Sequence, residues 1–78
     1  MGVILPPCVI VTAPSKGRLR RVHASGVSVG AGEVVGEFDG PGGTTLLRTP
    51  AAGAIGGLLA DVGQHLDAGE GLVWLHRR

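Results

Sequence analysis

Residues 13 to 38, APSKGRLRRVHASGVSVGAGEVVGEF, are written a second time in altered form as TPAAGAIGGLLADVGQHLDAGEGLVWL, residues 49 to 75. Pro14, Gly17, Leu19 and Val22 correspond to Pro50, Gly53, Ile55 and Leu58 at an offset of 36. After one extra residue the offset becomes 37, and Gly26, Val29, Gly32, Glu33, Val35 and Phe38 match Gly63, Leu66, Gly69, Glu70, Leu72 and Leu75. Ten agreements in order with a single slip make duplication a better account than chance. Each copy is too short to enclose a core, so the two must share one.

Each copy reads as a strand entering a Pro-x-x-Gly turn, which returns the chain into Leu19 to Val22 or Ile55 to Leu58, followed by a second glycine turn. Glycine suits turns that require positive φ, and proline sets the approach to them. The expected architecture is all-β: a flattened barrel or sandwich of two pseudo-symmetric half-domains joined by a hairpin. It forms a single domain over residues 1–78, with half repeats 9–38 and 46–75. Val9 and Val11 indicate an alternating first strand and Leu72 to Leu75 a final one, with strands near the two chain ends as neighbours. A helix over residues 51–60, AAGAIGGLLA, is disfavoured because its three glycines each cost about 1 kcal/mol relative to Ala. Its counterpart in the first copy, SKGRLRRVHA, lacks a matching pattern. Phe38 and Trp74, the only large aromatics, are assigned to the core.

Composition agrees with short strands and tight turns. The chain holds 15 glycines and 5 prolines, and its 44% hydrophobic and 17% charged content argues against disorder. A net charge of +1 excludes strong attraction to nucleic acid. No basic and aromatic interleaving for base stacking is present, and no apolar run reaches a membrane span. The single cysteine, Cys8, excludes an internal disulfide and makes cytoplasmic residence the default expectation. The opening MGVILPPC lacks the basic region of a secretory signal, and Pro6-Pro7 interrupt its apolar run. Position 6 is Pro where a myristoylation signal on Gly2 wants Ser or Thr.

The two halves contain Ala13-Pro14-Ser15-Lys16-Gly17, Gly26 to Gly32, Thr49-Pro50-Ala51-Ala52-Gly53 and Gly63 to Gly69. In this order the four turns resemble the biotinyl/lipoyl carrier-domain family, the swinging-arm modules of biotin-dependent carboxylases and 2-oxo acid dehydrogenases. The resemblance runs from about Val9 to Leu75. It implies a hairpin between the halves whose tip reads A-M-K-M in biotin carriers, with the lysine bearing the prosthetic group. Counting forward from Gly32 and back from Pro50 places that lysine on Gly42, within Gly40-Pro41-Gly42-Gly43. Attachment requires a nucleophilic amine, which glycine lacks, so no covalent cofactor is expected. Lys16 is the only lysine and falls in the first turn.

Other chemistry has little support in the spacing. His23, His65 and His76 lack the short separations of a zinc site, and Cys8 is alone, so no metal is expected. Ser15, Ser25 and Ser28 fall in turns and define no nucleophile geometry. Gly40, Gly42 and Gly43 lack the Lys and Ser or Thr of a nucleotide loop. The expected function is a non-enzymatic protein-interaction or accessory module without covalent cofactor. Arg18, Arg20 and Arg21 are the candidates for steering a partner. The expected partner is another protein, with a homodimer or a carboxylase-like or biosynthetic complex as the assemblies considered. Two alternatives stand beside it: a small homodimeric enzyme whose interface pocket recruits His23, His65 or Asp61, and an inactivated carrier domain.

Overall fold

A computed structural model describes residues 8–77. The expectations about Gly2 and Pro6-Pro7 lie outside these residues. Eight strands follow one another: β1 (Cys8–Thr12), β2 (Gly17–Val22), β3 (Ser28–Val29), β4 (Val34–Gly40), β5 (Gly43–Arg48), β6 (Gly53–Leu58), β7 (His65–Leu66) and β8 (Gly71–Arg77). In β1, Val11 is buried and Val9 half-buried while Cys8, Ile10 and Thr12 are exposed, the alternation expected of a half-covered strand. The stretch considered for a helix contains β6.

The strands form two four-stranded antiparallel sheets, β1-β8-β6-β3 and β5-β4-β2-β7. Replacing each strand by its counterpart in the other half, β1 by β5 and β4 by β8, converts one order into the other. The correspondence extends to single residues. Gly17 pairs with Leu66 and Arg18 with His65; their counterparts Gly53 and Ala54 pair with Val29 and Ser28. The ladder β2·β4 is irregular at Arg20 and β6·β8 at Gly56, the equivalent position.

The Pro-x-x-Gly turns do not fold each strand back upon its predecessor. β1 lies against β8 and β2 against β4 and β7, so each such turn carries the chain from one sheet to the other. Every sheet therefore contains two strands of each half. The glycine turns lock this exchange. Gly26 and Gly63 both adopt φ 88°, Gly26 N donates to Ile55 O and Gly63 N to Leu19 O, each at 2.7 Å. A second reciprocal pair joins Gly32 N to Thr49 O at 2.7 Å and Gly69 N to Ala13 O at 2.9 Å.

Between the sheets lie Leu19, Val35, Phe38, Ile55, Leu72, Val73 and Leu75, all essentially inaccessible. Leu19 stands opposite Phe38, and Ile55 opposite Leu75, at the centre of the two halves. Phe38 fills the core as expected, but Trp74 does not. In β8 the neighbours Val73 and Leu75 are buried, leaving Trp74 half-buried on the outer side of its sheet. Its ring lies over Gly56 and Gly57, where an added Cβ would collide with it.

Gly26 and Gly63 have open space where a Cβ would lie, so only their backbone conformation resists substitution. Gly26→Ala and Gly63→Ala are each expected to lower the unfolding free energy by about 1–2 kcal/mol, and by equal amounts. At Gly17 and Gly53 an added Cβ would strike the backbone carbonyl oxygens of Asp39 and His76. Gly17→Ala and Gly53→Ala should therefore cost more than the first pair. Urea unfolding of the four variants checks this order.

Candidate functional site

The hairpin between the halves ends in the turn Pro41-Gly42, closed by pairing of Gly40 with Gly43. Proline cannot supply positive φ at the first central position, as the twist-matched two-residue turns require. Positive φ falls instead on Gly43, at 116°, and not on Gly42. The glycines of the tip are thus not equivalent. A Cβ on Gly40 would lie 2.6 Å from Ser15 Oγ, a contact that rotation of the hydroxyl relieves. A Cβ on Gly42 would meet nothing within 4 Å. The position that the resemblance assigns to prosthetic attachment has room for a side chain but carries none.

Beside the tip lies an open cleft of about 440 Å³, lined by Gly17, Gly40, Pro41 and Leu66 together with Lys16, His65, Asp67 and Glu70. Glu70 has a turn-forming task, since its carboxylate accepts from Asp67 N at 3.1 Å. The equivalent Glu33 accepts from Gly30 N at 3.4 Å. The chain's lysine thus borders the hairpin tip, a proximity the sequence did not disclose because the two meet only when β2 pairs with β4. Among the described residues Lys16 makes no ion pair.

Arg18, Arg20 and Arg21 all come from β2, in the sheet β5-β4-β2-β7. Arg20 lies 3.7 Å from Glu37 and 3.6 Å from Asp39, and Arg21 Nη1 donates to Glu37 Oε2 at 3.2 Å. Asp39 in turn accepts from Thr44 Oγ1 at 2.7 Å. Arg18 faces Asp39 on one side and His65 on the other in the strand register. The result is a solvated network of mixed sign, in which Arg20 and Arg21 are ion-paired and Arg18 has no ion pair among the described residues.

The residues considered for an interface enzyme do not share a cleft. His65 lines the cleft at the tip, whereas His23 lines a second one of about 330 Å³ with Arg21, Val22, Val34, Gly36 and Glu37. Asp61 lines neither and is engaged in a turn, its N–H donating to Gln64 Oε1 at 3.0 Å. Among the described residues no group of three or more His, Cys, Asp and Glu side chains is arranged to hold a metal ion. No helix there is long and apolar enough to cross a membrane.

No protein-family model and no curated protein matches the chain. Among solved structures, the whole chain superposes with a TM-score of 0.85 on 8% of a single-chain, multi-domain long-chain acyl-CoA carboxylase, at 20% identity. Of the chain, 95% superposes on 7% of the urea carboxylase of Kluyveromyces lactis, with a TM-score of 0.81 and 19% identity. The ectoine utilization protein EutE (DoeB) of Ruegeria pomeroyi is similar at a TM-score of 0.62 and 16% identity, over 88% of this chain and 22% of that one. The chain is thus a small part of the length of each. Its fold is biotinyl/lipoyl-carrier-like and matches segments of large multidomain carboxylases.

The exposed ion pairs and the buried core predict losses of very different size at adjacent residues. Removal of the Arg20 and Arg21 partner by Glu37→Ala should cost only about 0.5 kcal/mol, because the arginine side chains are 57% and 72% exposed. Phe38→Ala leaves a cavity between the sheets and should cost about 3–5 kcal/mol. Thermal denaturation followed by circular dichroism distinguishes the two.

Proposed function

We propose that this chain is a non-enzymatic interaction module, a carrier-type scaffold that binds another protein and holds no covalent prosthetic group. The observation that carries this reading is the tip. Gly42 offers no amine, and an amide to biotin or lipoate needs a nitrogen nucleophile on a tether. The likeness to segments of multidomain carboxylases supports an accessory place in a carboxylase-like or biosynthetic complex. Arg18, Arg20 and Arg21 provide the partner's steering surface, with Arg18 the least compensated of the three. Charges at such a rim act chiefly on the rate of encounter.

A second reading, an inactivated carrier, is favoured by the open space at Gly42. There the scaffold would still accept a lysine that the sequence has lost. Co-expression with a biotin ligase separates the readings. The unsubstituted chain is expected to retain its unmodified mass of 7.8 kDa, and a biotin adduct on it would overturn the proposal. Gly42→Lys should fold with unchanged stability. Its biotinylation would favour the inactivated carrier, and its remaining unmodified the interaction module. Once a partner is in hand, the triple substitution of Arg18, Arg20 and Arg21 by Glu should slow association about tenfold at low salt and leave the dissociation rate little changed.

A further inference from the structure

The internal symmetry makes one outer face a control for the other. On the sheet β5-β4-β2-β7, the outward positions Arg20, Arg21, Glu37 and Asp39 form the ion-pair network. Their counterparts on the sheet β1-β8-β6-β3 are Gly56, Gly57, Trp74 and His76. Trp74 stands beside Ile10 on one side and Gly57 on the other in the strand register. Ile10 and Leu59 both border Gly71, their side-chain carbons 3.3 and 2.9 Å from the position a Cβ would take there. Ile10 is 55% and Leu59 49% exposed, so isoleucine, leucine and indole form one apolar patch above a floor of glycines. Core packing does not require these side chains outside.

The patch reaches the edge of its sheet, because Ile10 is the middle residue of β1 and, among the described residues, β1 is an end strand. Cys8-Val-Ile-Val-Thr12 has three β-branched apolar residues and no charge or proline, the devices that normally keep an edge from pairing. The other end of this sheet, β3, is only two residues long. The equivalent edge β5 ends in Arg48, and its Leu46, the counterpart of Ile10, stands opposite Glu37.

We propose that β1 pairs antiparallel with β1 of a second copy of this chain, about a twofold axis through Ile10. Full overlap of a five-residue strand with itself places the central residue opposite its own copy. The outer row then reads Gly57, Trp74, Ile10, Ile10, Trp74, Gly57 across the seam. The rows brought together contain no Asp, Glu, Lys or Arg, so the axis juxtaposes no like charges. Three side chains, of which Trp74 is half-buried, fall well short of the roughly 800 Å² per partner of a standard interface. A copy laid on the face would not hold; strand pairing adds backbone hydrogen bonds and both flanking side-chain rows. The pairing is isologous and closes, leaving no second long edge on this sheet to propagate a fibre.

This inference gives the second copy as one binding partner of the proposed interaction module. It does not depend on the arginine surface or on the tip, and it is tested on the purified chain alone. Sedimentation velocity from about 10 µM to about 1 mM should show monomer passing into dimer. Ile10→Lys, which sets two ammonium groups against each other at the axis, should keep the chain monomeric throughout, while Leu46→Lys at the equivalent position should dimerise like the unsubstituted chain. As a check independent of the lysine variant's folding, Ile10→Cys combined with Cys8→Ser should oxidise to a disulfide-linked dimer, since directly opposed Cα atoms lie within about 4.4–6.8 Å. Leu46→Cys with Cys8→Ser should remain monomeric. A monomer at every concentration, equal effects of the two lysine substitutions, or equal cross-linking of the two cysteine variants would overturn the proposal.

Discussion

Reciprocal hydrogen bonds from one half's turn glycine to the other half's strand hold this molecule in its exchanged form. Gly26 N reaches Ile55 O and Gly63 N reaches Leu19 O, and the same two strand residues bury their side chains against Leu75 and Phe38. One residue thus serves the ladder, the turn and the core together. Because every sheet is assembled from both halves, neither half owns a sheet of its own. A chain with so few large side chains gains from this arrangement, since most of its apolar surface faces a common interior rather than two smaller ones.

The duplicated frame separates what the fold demands from what it leaves open. Inside, the counterparts remain apolar: Leu19 and Ile55, Val29 and Leu66, Val35 and Leu72, Phe38 and Leu75. In the turns, glycines with positive φ and the carboxylates of Glu33 and Glu70 keep equivalent hydrogen bonds. Outside, the two halves have diverged. Arginine and glutamate occupy one sheet where glycine and tryptophan occupy the other, which is possible because outward positions answer to solvent or to a partner and not to the interior. The two faces therefore offer different chemistries on one backbone.

The tip shows the same separation at the scale of single residues. Gly43 is held to glycine by its backbone conformation and Gly40 packs against the Ser15 hydroxyl, while Gly42 is under neither constraint. A side chain there would project into solvent. Lack of space therefore does not account for the glycine at position 42.

The repeat, read along the chain, was sufficient for the all-β class, the pseudo-twofold relation, the burial of Phe38 and the lack of an amine at Gly42, because these follow from residue type, spacing and order. Trp74 escaped that reading: its aromatic bulk suggested the core, but Val73 and Leu75 on either side of it take the interior and leave the indole on the outer side. The acidic neighbours of Arg20 and Arg21, the approach of Lys16 to the hairpin tip and the sheet to which each strand belongs were likewise decided only in three dimensions. Each depends on pairing between strands distant in sequence, and the irregularities at Arg20 and Gly56 shift that register in a way local periodicity does not encode. Local chemistry determined the kinds of strand and turn; long-range hydrogen bonding determined which surfaces they make together.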